Sequence, residues 1–145
     1  MTAKITSIAV KFAHSCDYII LATADSQGIP HIAIAGKLDY DTDNELLKVS
    51  EWFCPKTLEN LNINKHISLA AWNAESDKGY QLQGTLLEGK TTAVLNGYTE
   101  KESQQYFPQS REELLIKIEN ITEFRHTIHS DKNLMNIQNE AYHDC

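Results

Sequence analysis

The spacing of apolar residues predicts one helix followed by a series of short strands. Near the start of the chain, apolar residues recur every three or four positions, as on one face of a helix: Ile5, Ile8, Ala9 and Phe12. Further along, β-branched and aromatic residues gather in short runs separated by polar turns, which predicts strands at 18–25, 31–41, 45–53, 66–74 and 79–96. Strands joined by tight turns favour an antiparallel sheet over a parallel βαβ arrangement.

The last third of the chain has a less uniform pattern. A threonine cap predicts a short helix over 99–105, which a proline then ends. Residues 113–124 alternate apolar and polar side chains and predict a final strand, although part of this segment also fits a helix. Polar residues dominate from position 127 onward. We therefore predict one domain over 1–126 and a tail over 127–145 whose structure is undecided.

Length, composition and charge restrict the class of protein. A chain of 145 residues with 41% apolar and 23% charged residues is typical of a single folded domain. It has neither a run of roughly 20 apolar residues nor a secretory pattern, so we expect a cytoplasmic protein without a membrane span. Because the net charge of -7 would repel a phosphate backbone or an anionic membrane, we expect neither nucleic acid nor a membrane as a partner.

Cysteine and histidine residues do not predict a metal site. The three cysteines form an odd set without CxxC spacing, which indicates neither a disulfide framework nor a zinc site. His126 and His129 lie close in sequence, and His143 and Cys145 follow in the tail. Scattered histidines of this kind are more often surface residues than ligands, and we predict no bound metal.

The sequence around Pro55 predicts a helix start with a positive charge in its first turn. Proline suits the first helical position, where its missing N–H costs nothing. Lys56 and Thr57 then lie among backbone N–H groups that have no acceptor within the helix. A phosphate there would gain these N–H groups, the threonine hydroxyl and the ammonium. The alternative is that Lys56 simply points to water, and these residues alone leave both interpretations open.

From about position 18 to 86, the chain resembles the FMN-binding split-barrel family, the pyridoxamine 5′-phosphate oxidase-like proteins. The resemblance is carried, in order, by LATADSQGIPHIAIAGKLDYD, LKVSEWFCPKTLENLNINKHISLAAWN and GYQLQGTL. These match the family's Gly-x-Pro turn, its K-T-x-x-N-L helix start and its G-Y-Q-x-x-G strand. The resemblance implies a mainly β, α+β fold, a small antiparallel split β-barrel with peripheral helices. It also implies a homodimer that binds FMN in the groove between its subunits.

The resemblance assigns four residues to the phosphate end of FMN. Lys56 and Thr57 match the positions that hold the flavin phosphate. Ser50 matches a strand position beside them, and Lys37 matches the lysine that closes the second strand. Position 55 is proline where many relatives have a basic residue, which leaves more of the phosphate binding to backbone N–H groups.

Four further residues are assigned to the flavin ring system. The backbone around Ala33 and Ala35 would line the isoalloxazine, as the second strand does in relatives. Gln81 and Gln83 share one face of their strand, because side chains alternate with a period of two. That polar face either contacts the flavin edge or faces solvent.

The resemblance implies an FMN-dependent oxidoreductase that exchanges hydride or electrons with a nicotinamide or a small organic partner. Pyridoxamine-phosphate oxidases have an Arg-x-His element near the C-terminus, whereas Arg125 and His126 are adjacent here, so activity on that substrate is not implied. The alternative is a flavin-binding or ligand-sensing homodimer without turnover. No catalytic residue is assigned. Three aromatic residues are expected at or beneath the dimer interface: Trp52, Phe53 and Trp72.

Overall fold

A computed structural model of the chain describes residues 2–52, 55–92 and 111–136. Within these ranges seven strands form one antiparallel sheet, accompanied by two α-helices and a 3₁₀ helix. In chain order the elements are α1 (Thr2–His14), β1 (Ile19–Ala24), β2 (Pro30–Ala35), β3 (Leu38–Asp41), β4 (Leu46–Trp52), α2 (Pro55–Ile63), β5 (His66–Asn73), β6 (Lys78–Thr92), β7 (Arg111–Glu123) and the 3₁₀ helix (Leu134–Asn136). The helix predicted over 99–105 lies outside the described residues.

The order of the strands requires the sheet to curl. The order is β2-β1-β5-β6-β7-β4-β3, so β2 and β3 lie at opposite ends of the sheet although only Gly36 and Lys37 separate them in sequence. The Ser50 N–H donates a hydrogen bond to the Lys37 carbonyl (3.1 Å), which continues the pairing of β4 with β3 into the linker, and β2 contacts β4 where the sheet curls. The single strand predicted over 31–41 is therefore wrong. The chain bends after β2, and the two halves pair with different neighbours, β1 and β4.

Alternating apolar side chains along the strands form the barrel interior. In β7, Leu114, Ile116 and Ile118 are buried, whereas Lys117 and Glu119 are exposed. This confirms the strand predicted over 113–124 and excludes the helix alternative. Leucines from four other strands are completely or almost completely buried in the same core: Leu21, Leu47, Leu69 and Leu82. Each such side chain contributes about 1.5–3 kcal/mol through its removal from water.

The N-terminal helix is confirmed, and three of the four residues on its predicted apolar face contact the core, namely Ile5, Ala9 and Phe12, whereas the fourth is exposed. Ala9 and Ala13 are buried, while Ile8, predicted on the apolar face, is 44% exposed. The helix packs mainly against β3 and β6, where Phe12 contacts Tyr80 edge to face with ring centroids 5.6 Å apart. Among the helices of the described residues, none is both long and apolar enough to span a bilayer.

The described part of the predicted tail packs on β7. The Asn133 side chain accepts a hydrogen bond from the Ile121 N–H (3.1 Å) and donates one to the Glu119 carbonyl (3.2 Å). These groups lie beyond Lys117, the last residue of β7 that pairs with β4. Leu134 is buried in the core. The tail thus provides hydrogen-bond partners for backbone groups of β7 that lie beyond its pairing with β4.

The second glycine of the G-Y-Q-x-x-G pattern is required by close approach between strands. A Cβ added to Gly84 would lie 2.1 Å from the Lys117 carbonyl oxygen, at a register shift between β6 and β7. A Cβ on Gly89, in the same strand, would meet only the Leu114 side chain at 3.6 Å, an ordinary contact.

We therefore expect Gly84→Ala to lower the free energy of unfolding by about 1–3 kcal/mol, because the backbone must shift to admit the methyl group. Gly89→Ala is the matched control and should change the free energy of unfolding by less than about 0.5 kcal/mol. Urea unfolding of both variants provides the measurement. Equal effects of the two substitutions would contradict the close-approach explanation.

Candidate functional site

The helix start predicted at Pro55 is confirmed, since α2 begins there and packs against β1 and β2. Its first turn contains no acidic residue. Lys56 is exposed, whereas Thr57 is completely buried. The ammonium group is therefore open to an anion from solvent, while the threonine hydroxyl lies inside the protein. Exposure of Lys56 alone fits both alternatives left open by the sequence.

A buried polar pair lies one helical turn further along α2. The Asn60 side-chain amide donates a hydrogen bond to the Thr23 hydroxyl (3.1 Å), and both residues are buried. The Asn60 Oδ1 atom is buried and has no hydrogen-bond partner among the described residues. A buried acceptor in this state costs about 1–3 kcal/mol. Asn60 is the asparagine of the K-T-x-x-N-L pattern, so a signal for it was present in the sequence, but only the lysine and threonine were assigned a role.

Asp25 fixes the turn between β1 and β2. Its Oδ1 atom accepts hydrogen bonds from the N–H groups of Gln27 and Ile29, both at 2.9 Å. The pKa of this carboxyl lies below its usual range, first because of the Ile29 N–H and also because the Lys56 ammonium attracts its charge. The turn and the start of α2 therefore lie within electrostatic range of each other. The turn itself is predicted by its residues, but no role for Asp25 is evident from the sequence.

Ser50 and Lys37 are brought together where the barrel closes. Ser50 is buried, and the hydrogen bond from its N–H to the Lys37 carbonyl places the two residues side by side. The Lys37 ammonium is exposed and lies 4.0 Å from the Asp39 carboxylate. An exposed pair of this kind contributes little to stability. Ser50 lies near the end of β4, the strand that leads towards α2.

The second strand presents isoleucines rather than alanines to solvent. Ala35 is completely buried and Ala33 is half-buried, while Ile32 and Ile34 are 66% and 60% exposed. This follows from alternation along β2, which directs the alanines inward. Contact between a flavin ring and the backbone around Ala33 and Ala35 stays a prediction.

Gln81 and Gln83 share the outer face of β6 and are tied to neighbouring strands. The Gln81 amide donates to the Ser68 hydroxyl (2.9 Å), and the Asn120 amide donates to Gln83 Oε1 (2.7 Å). Gln83, Ser68 and Asn120 line a groove of ≈ 460 Å³ that also reaches Thr23. The strands β5 and β1 lie between β6 and β2 in the strand order, and the groove extends across them to Pro30 at the start of β2.

An apolar surface covers the outer side of β1 and β2. Ile20 pairs with Ile34 on one side and Ala70 on the other, and Ile32 lies two residues before Ile34 in β2, opposite Ala22. We call the side chains of Ile20, Ile32 and Ile34 the isoleucine patch. All three are exposed in the single chain. Exposed apolar surfaces of this kind are typical of contact sites.

Trp72 lies beside this surface. It is 41% exposed and lines, with Tyr18 and Ile20, a second groove of ≈ 470 Å³. Its position agrees with the expectation that it lies at an interface, which stays a prediction. The Trp52 side chain and Phe53 lie outside the described residues.

Asp77 joins the β5–β6 turn to the segment after β7. Its carboxylate accepts hydrogen bonds from the Trp72 indole N–H (2.9 Å), the His126 N–H (2.7 Å), and the N–H and hydroxyl of Thr127 (2.9 and 2.8 Å). The pKa of this carboxyl is well below its usual range, chiefly because of the bond from the His126 N–H. Asp77 thereby sets the position of the Arg125–His126 element.

The described residues include no group of three or more His, Cys, Asp or Glu side chains able to hold a metal ion. His126 and His129 are among these residues: the His126 backbone N–H donates to Asp77, and His129 Nδ1 lies 2.7 Å from the Thr127 carbonyl oxygen. His143 and Cys145 lie outside them.

Asp77→Asn should lower the thermal unfolding midpoint at pH 7, because an amide cannot accept all four hydrogen bonds. A carboxyl with a lowered pKa in the folded state adds stability above its unfolded pKa of about 3.9, and this stability is lost as the pH falls below that value. The difference in unfolding midpoint between the wild type and the variant should therefore become smaller below about pH 4. Asp43→Asn, in an exposed turn, is the control. A difference in midpoint that does not change with pH would contradict the role given to the Asp77 carboxylate.

Comparison with known proteins supports the fold. No protein-family model matches the sequence, and no curated protein matches it either. Among solved structures, a protein of Clostridium acetobutylicum related to general stress protein 26 of B. subtilis, of the pyridoxinephosphate oxidase family, is 18% identical with a TM-score of 0.61, covering 93% of this chain and 98% of that one. HupZ of Group A Streptococcus is 21% identical with a TM-score of 0.59, covering 86% and 97%.

An FMN-binding protein from Syntrophomonas wolfei subsp. wolfei is 16% identical with a TM-score of 0.58, covering 86% of this chain and 89% of that one. At such identities the similarity concerns the fold, and it agrees with the antiparallel barrel and its two helices. The chain thus has the split-barrel fold of the pyridoxamine 5′-phosphate oxidase-like proteins, as the sequence resemblance predicted.

Proposed function

We propose that the protein is an FMN-binding flavoprotein that works as a homodimer and uses the bound flavin as a redox cofactor. The observation that carries this proposal is the exposed Lys56 in the first turn of α2, a turn without acidic residues, on a fold that FMN-binding proteins share. An open helix start with a cation in its first turn is a suitable site for a phosphate group.

The residues at the start of α2 fit the phosphate end of FMN, with one change from the sequence assignment. Backbone N–H groups of the first turn and the Lys56 ammonium would hold the phosphate through charge-assisted hydrogen bonds. Thr57 is completely buried, so its hydroxyl supports packing of the helix in the conformation described. Lys37 adds a second exposed ammonium near Ser50, where the barrel closes.

The ring system needs a second copy of the chain. The barrel interior is filled by leucine and isoleucine side chains, which leaves the outer surface for the flavin. On that surface a single chain offers the isoleucine patch on β1 and β2, whereas Gln81 and Gln83 lie on β6, three strands away in the strand order. A partner related by two-fold symmetry would cover the patch and bring its own glutamines to the ring. Small-molecule sites usually bury most of their ligand, which an open sheet surface does not achieve.

Bound flavin would supply hydride or electron transfer, and the protein would bind, orient and shield it. A nicotinamide or a small organic molecule is the proposed redox partner. The alternative is a flavin-binding or ligand-sensing dimer without turnover. Bleaching of the flavin absorbance by NADH or NADPH would favour the enzyme, and its persistence with both reductants would favour the alternative.

The phosphate assignment predicts that Lys56→Glu weakens FMN binding by about 1–3 kcal/mol, as expected for loss of a charge-assisted contact and addition of a repulsive charge. Riboflavin lacks the phosphate, so it should bind wild type more weakly than FMN does and should respond little to this change. Lys65→Glu, an exposed lysine beyond the other end of α2, is the matched control and should leave both affinities nearly unchanged. Fluorescence titration with each flavin gives the affinities.

Two results would contradict the phosphate assignment. The first is equal affinity of wild type for FMN and riboflavin. The second is tight binding of hemin without binding of FMN, since a porphyrin presents a flat apolar face but has no phosphate ester.

The dimer proposal predicts that Ile34→Glu raises the dimer dissociation constant at least about tenfold, because a carboxylate would be buried in an apolar interface. Ile8→Glu on α1 is the control, since Ile8 is also an exposed isoleucine but lies away from β1 and β2. Light scattering across a concentration series gives both constants. A wild-type monomer, or an equal response to the two changes, would count against this interface.

A further inference from the structure

Asp25 holds a negative charge within electrostatic range of Lys56, in the first turn of α2. The hydrogen bond between Asn60 and Thr23 fastens β1 to this helix. Asp25 follows Thr23 by two residues, just after β1 ends, and Lys56 precedes Asn60 by one helical turn. The carboxylate and the ammonium therefore extend from elements that are joined at a buried contact.

The position of this carboxylate is fixed rather than variable. Two backbone N–H groups, those of Gln27 and Ile29, bind Oδ1 at 2.9 Å, and the Gly28 N–H donates to the Asp25 carbonyl (3.0 Å). Side chains held in turns of this type lose the freedom to rotate away from a neighbouring charge. The attraction between Asp25 and Lys56, noted above, supports their proximity.

We infer that Asp25 determines specificity at the phosphate end of the site, because its fixed negative charge partly offsets Lys56 and weakens the preference for a phosphate dianion. This inference rests on the proposed function. It makes an unusual prediction for a residue beside a binding site: removal of its charge should strengthen binding. The effect should be confined to ligands that carry a phosphate monoester.

The chain contains a matched control for this change. Asp41 has a similar local role in the β3–β4 turn, where Oδ1 accepts hydrogen bonds from the N–H groups of Asp43 (3.0 Å) and Asn44 (3.2 Å), and Oδ2 also accepts one from the Asn44 side-chain amide (2.7 Å). Because an asparagine Oδ1 can still accept such bonds, Asp25→Asn and Asp41→Asn each remove one charge from a turn of similar geometry.

The experiment compares FMN and riboflavin binding to wild type, Asp25→Asn and Asp41→Asn at low and high salt. At low salt, Asp25→Asn should raise the affinity for FMN about two- to fivefold, as expected for one charge acting on a dianion across a solvent-exposed distance. This gain should shrink at high salt, because exposed charges are then screened. Riboflavin binding should stay unchanged, and Asp41→Asn should alter neither ligand. Asp25→Ser, which also forms turns of this type, replaces the first variant if that one fails to fold.

The possible failures are distinguishable. FMN binding to wild type without a gain in Asp25→Asn or Asp25→Ser would overturn this inference and leave the proposed function intact. An equal gain for FMN and riboflavin would also overturn it, because the residue would then act on the ring site or on the fold. Absence of FMN binding in every variant would overturn the proposed function itself, and this inference with it.

Discussion

Closure of the sheet between β2 and β3 is the constraint on which the rest of the structure depends. Two consecutive strands with only Gly36 and Lys37 between them lie at opposite ends of the strand order, and a flat sheet cannot satisfy that arrangement. The hydrogen bond from the Ser50 N–H to the Lys37 carbonyl extends the β3–β4 pairing up to the linker, and contacts between β2 and β4 bring the two ends together. Once closed, the barrel buries one face of every strand, and the opposite face is what remains for binding.

The same closure positions the candidate site. It places the end of β4, which leads into α2, beside β2, and α2 then packs on β1 and β2. The buried Asn60–Thr23 contact fixes this helix, so Lys56 is presented from a rigid support. The surface offers two different features: the Lys56 ammonium at the start of α2 and the apolar side chains of the isoleucine patch. The proposed ligand would place its phosphate at the first feature and its flat ring system at the second.

Alternation and turn residues made most strands predictable, because a half-buried strand needs period two and a tight turn needs polar residues or glycine. The break after β2 was missed because apolar residues continue through it. Ala35 and Leu38 are both completely buried, and a continuous strand cannot bury two residues three positions apart on the same face. Gly36 was the only local sign of the break in the sequence. Burial of Thr57 and the roles of Asp25 and Asn60 depend on how α2 packs against β1, which no local pattern encodes.

The most direct test of the account is sedimentation velocity of the FMN-loaded protein, recorded at a wavelength that only the flavin absorbs. The shared-groove proposal predicts that flavin absorbance sediments with a species of twice the 16.4 kDa chain mass, at one FMN per chain. Flavin that sediments with the single chain at the same stoichiometry would contradict the shared groove. Flavin that remains free while the protein sediments alone would contradict FMN as its ligand.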